Sequence, residues 1–122
     1  MAEAEKLVFM VMHGPDHPEH ATIPFVMAGA ALASDVQVVL GFQADGVELV
    51  RKGVAETVNA PAFPPLAKLL QDVLDLGALL LVCGPCAKSR EIAADDLVEG
   101  AEIVAAGRFV AEITSATNSL VY

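Results

Sequence analysis

A parallel α/β fold is what this sequence predicts, and three features predict it. Short apolar runs at residues 7–12, 36–42 and 78–82 read as strands buried on both faces. Longer stretches with helical character lie between them, so strands and helices alternate along the chain and imply a parallel sheet covered on both sides. The strands also end at residues suited to chemistry: His13, Gln43 and Cys83. In sheets of this kind, reactive and binding groups gather at the carboxyl ends of the strands.

The first strand, Leu7 to Met12, stops at His13-Gly14-Pro15-Asp16. Ala21 to Ala33 reads as a helix that is apolar almost all round, with Pro24 tolerable in its first turn. Val36 to Phe42 is a second strand, rich in β-branched residues. Asp45 to Lys52 reads as a short helix with Gly53 just past its end, and Val54 to Phe63 as irregular chain. Leu66 to Leu76 places Leu66, Leu69, Leu70, Val73 and Leu74 on one helical face, and Gly77 stops it. Ala78 to Val82 is the third buried strand. A short helix is expected from about Cys86 to Ala94, with Asp95 or Asp96 capping a further turn. Ala101 to Val104 is a fourth strand, Ala105 to Ala116 a helix, and Ser119 to Tyr122 a last strand.

Length and composition bound the function. The 122 residues suit one domain over 1–122, and no repeat or linker divides them. Apolar residues make up 55% of the chain, and mean hydropathy is +0.56. A small domain has much surface for its volume, so this excess is expected at subunit interfaces of a homo-oligomer. The net charge is −9, and only seven Lys and Arg are present, scattered along the chain. That balance excludes a nucleic-acid surface, which needs concentrated basic charge. The apolar stretch from Ala21 to Ala33 is too short to span a bilayer, and Met1 to Lys6 is not a cationic leader. The two cysteines lie three positions apart, a spacing that suggests redox, sulfur or metal chemistry in a reducing, cytoplasmic compartment.

Cys83-Gly84-Pro85-Cys86 is the most informative tetrapeptide. A cysteine where a strand gives way to a helix meets the unpaired N–H groups of the helix start, which favour the thiolate. Lys88 and Arg90, within two turns, add positive charge. The expected result is an accessible, low-pKa Cys83, with Cys86 beside it as resolving thiol, second carrier or structural residue. The blander reading is two small apolar side chains filling a crowded turn. The tetrapeptide is also that of thioredoxin. However, the 36 residues after Cys86 contain no proline to supply the cis-proline loop, and the chain has no Trp. Zinc would need about four ligands. Pro15 and Pro18 interrupt the segment carrying His13, His17 and His20, so solvated loop histidines are expected and no metal site is assigned. His13 alone is promoted to the site, as a partner for a thiolate or substrate. No Gly-rich phosphate loop supports a nucleotide, and no cofactor is expected.

Three segments together resemble the DsrE/DsrF-like family. They are His13-Gly14-Pro15-Asp16-His17-Pro18-Glu19 with Ala21-Thr22-Ile23-Pro24-Phe25; Leu80 to Arg90 around the cysteines; and Leu97 to Val104 with Gly107-Arg108-Phe109-Val110. The resemblance covers nearly the whole chain. It implies a three-layer α/β/α sandwich with a five-stranded parallel sheet, and symmetric trimers or hexamers. In the sulfur-relay members, a cysteine at the end of the third strand carries a persulfide between partner proteins. Cys83, seven residues before Arg90, matches it. The sequence departs from the family pattern at Glu91, where a glycine often follows the arginine.

The resemblance therefore implies a sulfur carrier or sulfurtransferase. Cys83 would be the acceptor and Cys86 and His13 its companions. Gly84, Lys88, Arg90 and Gln43 would support the site, and donor and acceptor proteins or small thiols would be the partners. A dithiol oxidoreductase and a non-catalytic oligomeric binding module stay open beside it.

Overall fold

The computed structural model describes residues 4–122. Five strands form one sheet: β1 (Lys6–Val11), β2 (Gln37–Phe42), β3 (Leu79–Cys83), β4 (Ala101–Val104) and β5 (Asn118–Val121). Four α-helices connect them: α1 (Pro18–Ala33), α2 (Leu66–Asp75), α3 (Gly84–Ser89) and α4 (Ala106–Thr114). The sheet order is β4-β3-β2-β1-β5, and every pairing is parallel. The chain steps outward from β1 to β4 and then crosses back, so strand order reverses between β1 and β5.

The apolar character of β1, β2 and β3 follows from burial on both sides. Phe9, Val11, Leu40, Phe42, Leu80 and Val82 face the main core with Phe25 of α1, Leu66, Leu70 and Val73 of α2, and Ala87 of α3. Val8, Met10, Val39 and Leu81 face the other way, against Phe109 of α4. Gly41 belongs to that second face. A Cβ there would lie 2.7 Å from Met10 Sδ and 2.9 Å from a Phe109 ring carbon, so the missing side chain is the space that the ring occupies.

Several boundaries differ from the expected ones. Helix α1 begins at Pro18, where Pro18 and Glu19 allow a helix to start, and therefore places Pro24 in its interior rather than its first turn. Pro24 cannot donate to the His20 carbonyl. Thr22, buried in the preceding turn, keeps its hydroxyl satisfied by donating to Pro18 O at 2.7 Å. The short helix expected from Asp45 to Lys52 is a 3-10 segment over Ala44–Val50, and the irregular stretch contains another at Ala55–Thr57. The helix expected from Cys86 to Ala94 instead spans Gly84–Ser89. It starts early because Cys83 caps it and proline occupies its first turn. It stops early because Glu91 turns left-handed (φ 56°).

The ends of α1, α2 and α3 share one device. A left-handed residue donates back to the third carbonyl before it, and the next residue donates to the fifth. These are Asp35 N–H to Leu32 O and Val36 N–H to Ala31 O; Gly77 N–H to Leu74 O and Ala78 N–H to Val73 O; and Glu91 N–H to Lys88 O and Ile92 N–H to Ala87 O. Glu91 thus occupies a conformation that glycine would adopt without strain. Asp96 does not cap from the N-terminal position. Its carboxylate accepts the Ala93 N–H at 2.8 Å from the third residue of a 3-10 turn.

Candidate functional site

Parallel register fixes where the strand ends fall. Val11 stands opposite Phe42, Phe42 opposite Val82, and Cys83 opposite Val104. Met12, Gln43 and Cys83 therefore leave the sheet at one level. With adjacent strands ~4.8 Å apart, the end of β1 lies on the order of 10 Å from Cys83.

Cys83 closes β3 and caps α3. Its Sγ accepts the Cys86 N–H at 3.4 Å, and Cys86 Sγ accepts the Ala44 N–H at 3.3 Å. Both are free thiols on half-buried residues. Ala44 holds a left-handed conformation (φ 50°) that contributes to aiming its N–H at the sulfur. Sequence reading missed Ala44, because a backbone donor from another strand end leaves no signature in residue type.

The expected low-pKa thiolate is not what the surroundings produce. Burial pushes the Cys83 thiol above the ordinary range, and the side-chain hydrogen bond with Cys86 pushes it further. The Cys86 backbone N–H and, last of all, Arg90 pull the other way without prevailing. Two physical reasons account for the difference. With six residues, α3 has little helix dipole to offer. Arg90 is committed elsewhere: its Nη2 donates to Asp45 Oδ1 at 2.8 Å and its Nη1 to Cys86 O at 3.1 Å. Asp45 holds the Arg90 guanidinium in its charged form. Lys88 is exposed and is not among the influences on the Cys83 thiol.

The other supporting residues act through the backbone. Gln43 N–H donates to Val11 O at 3.1 Å, and Gln43 O accepts the Gly46 N–H at 2.9 Å, which ties the β2 end to β1. A Cβ on Gly84 would lie 3.3 Å from Val104 O, so the glycine lets the start of α3 press onto the end of β4. Gly14 does the same for the β1–α1 loop, where a Cβ would meet Asp45 O at 2.7 Å.

His13 follows the end of β1, and its ring lies among histidines, with centroids 5.1 Å from His17 and 4.8 Å from His20. His17 and His20 are 6.3 Å apart. Those two are exposed, as expected, although His20 lies in the first turn of α1 and not in a loop, and all three form one cluster that the intervening prolines obscured in the sequence. His13 Nδ1 is buried with no hydrogen-bond partner. A cleft of about 680 Å³ between α1 and α2, lined by Phe25, Phe63, Leu69 and Leu76, contains none of these cysteines or histidines. Among the described residues no helix is long and apolar enough to cross a membrane.

Comparison with known proteins adds the following. The model of the DsrE/DsrF-like family matches residues 5–122. An uncharacterized protein of Methanocaldococcus jannaschii is 33% identical over 110 residues, covering 90% of this chain but only 40% of its own length. This chain thus spans well under half of that relative. A second uncharacterized protein of the same organism is 27% identical over 117 residues, covering 96% of this chain and 99% of its own. Among solved structures, the ychN protein of E. coli superposes with a TM-score of 0.82 at 19% identity, over 97% of this chain and 99% of that one. At that identity the match shows a shared fold.

Proposed function

The chain belongs to the DsrE/DsrF-like family, and on that premise we propose that it is a cysteine-dependent sulfur carrier in a sulfur relay, with Cys83 as the acceptor. The observation that supports this reading is Cys83 itself: a half-buried residue at the end of interior strand β3, whose sulfur accepts the N–H of a second cysteine.

Burial favours the neutral thiol of Cys83 over the thiolate. In the transfer step, Cys83 Sγ loses its proton and attacks the terminal sulfur of a donor persulfide. The donor S–S bond breaks, and its electron pair stays on the donor sulfur, which takes the proton and departs as a thiol. An acceptor thiol then repeats the exchange on the Cys83 persulfide. No net oxidation occurs in either exchange. Cys86 can divert the intermediate. If Cys86 Sγ attacks Cys83 Sγ, the persulfide bond breaks, sulfide leaves, and the two thiols are oxidised to a disulfide. The placement of Cys86, whose N–H reaches Cys83 Sγ, keeps this second, dithiol reading open.

Intact mass after incubation with a sulfane donor distinguishes the readings. Wild type is expected to gain about 32 Da as one added sulfur. The adduct disappears in Cys83→Ser and persists, longer-lived, in Cys86→Ser. Its rate of formation climbs as pH rises into the alkaline range, because the raised Cys83 value leaves little thiolate at neutrality. No adduct in wild type overturns the proposal. A disulfide that needs both cysteines and passes through no adduct gives the oxidoreductase reading instead.

A further inference from the structure

The cleft between α1 and α2 takes no part in the thiol chemistry, and three observations single it out. The first is shape. It holds about 680 Å³, a volume suited to a small molecule, and its walls are largely apolar: Val26 on α1, Phe63 in the loop before α2, and Leu69 and Leu76 on α2. Val26 stays 36% exposed and Leu76 56%, so the fold itself does not cover these walls.

The second observation is Gly29, which lines the cleft from the interior of α1, three residues after Val26. Glycine weakens a helix interior, and a packing neighbour that needs the room is the usual reason for keeping it. Here a Cβ would meet no other atom of the fold within 4 Å. The glycine therefore leaves open space in the cleft wall and makes room for no residue of this chain.

The third observation is charge. Asp72 and Asp75 line the cleft, and no Lys, Arg or His lines it with them. Both acids lie in the last turn of α2, which holds no basic residue, although the carbonyl end of a helix favours positive charge. Asp72 is paired with Lys68 at 2.8 Å. Asp75 accepts a hydrogen bond from Gln71 Nε2 at 2.8 Å, a neutral amide that does not offset its charge.

We propose that this cleft binds a small organic cation: an apolar body, aromatic or branched aliphatic, that carries one ammonium group. The hydrocarbon fills the space beside Gly29 and covers Val26, Phe63, Leu69 and Leu76, and its burial supplies most of the affinity. The ammonium lies against Asp75 and the carbonyl end of α2. A carboxylate on the same body meets like charge there and is rejected. Because Asp75 is exposed, the ion pair sets a modest preference and not the bulk of the binding. A second copy of the chain is a poorer occupant, since its net charge of −9 opposes the two acids.

The test follows backbone amide NMR shifts of the full chain titrated with phenylbutylamine, and then with phenylbutanol and phenylbutyrate. For the amine, shifts are expected at Gly29, Phe63, Leu69, Asp75 and Leu76, with a Kd of about 0.1–1 mM. Affinity should fall from amine to alcohol to carboxylate. Gly29→Leu fills the cleft, so binding should weaken roughly tenfold or more while the thermal midpoint holds or rises, because leucine suits a helix better than glycine. Asp75→Asn, at an exposed position, tests the charge without disturbing the packing. It should lower affinity for the amine roughly threefold and leave the alcohol unchanged. Binding should be unaltered in the Cys83→Ser/Cys86→Ser double variant, so the result stands apart from the persulfide reading. The proposal is overturned by an absence of shifts at these amides, by a carboxylate that binds as well as the amine, or by undiminished binding in Gly29→Leu. Shifts of the same amides on dilution without any probe would also overturn it, by making a second copy the occupant.

Discussion

The two ends of the sheet are built on opposite terms. At the amino end, polar groups are paired. Lys6 Nζ donates to Glu112 Oε1 at 2.8 Å and to Ser115 Oγ at 2.6 Å, while Arg108 Nε donates to Glu112 Oε2 at 2.8 Å. The left-handed turns leading into β2 and β3 fall on Asp35 and Gly77, residue types that tolerate them. At the carboxyl end, the backbone hydrogen bonds that the thiols receive are long, 3.3 and 3.4 Å. His13 Nδ1 has no partner, and left-handed conformations fall on Ala44 and Glu91. The amino end is arranged for stability. The carboxyl end holds strain and under-committed polar groups, a combination that tends to mark functional sites.

Three substitutions probe that contrast, in descending order of expected effect. Gly46→Ala should be the most damaging, because a Cβ there would overlap the Val11 carbonyl oxygen where the 3-10 segment crosses the end of β1. A loss of about 3 kcal/mol in urea unfolding is expected. A small loss would mean that the carboxyl end yields more readily than its close packing implies.

Glu112→Gln tests the amino end. The Lys6 ammonium, and then Arg108, hold the Glu112 carboxyl below its usual range. The pair with Lys6 is only 17% and 16% exposed, so screening is partial. A cost of about 1–2 kcal/mol at neutral pH follows. A lowered folded value means that this stabilisation is present above the unfolded glutamate value, ~4.3, and is lost as pH falls through the folded one. Stability of the variant should therefore depend less on pH below ~4.3 than that of wild type. Parallel curves would show that the network contributes little.

Glu91→Gly should give the smallest effect, and of the opposite sign. Relief of the left-handed strain, offset by the greater freedom of the unfolded chain, predicts a gain of about 0.5–1 kcal/mol in thermal unfolding. A loss would show that the glutamate side chain compensates its own backbone.

Much of the fold was legible in the chain. The runs around Val8, Val39 and Leu81 are apolar without alternation because both faces of those strands are covered, and that pattern is local. Gly77 announced its helix end for the same reason. Pro24 misled, because a proline inside a helix is tolerated when neighbouring groups absorb the lost hydrogen bond, and residue type does not reveal that. Cys83 and Cys86 were legible as a pair, but their electrostatics were not. Arg90 reads as a nearby cation in sequence, and its salt bridge across 45 positions to Asp45 was hidden there.

The sequence by itself determined the alternation of strands and helices, the buried strands, the family and the residues that carry reactive atoms. These follow from side-chain type and short-range spacing, both of which are written along the chain. Tertiary structure alone decided which groups those atoms meet. It set the N–H of Ala44 against Cys86, kept Arg90 on Asp45, raised the Cys83 thiol instead of lowering it, and gathered His13 with His17 and His20. Ionisation depends on burial and on the donors and charges within a few ångströms, and only the folded chain brings Ala44 to Cys86 and Asp45 to Arg90.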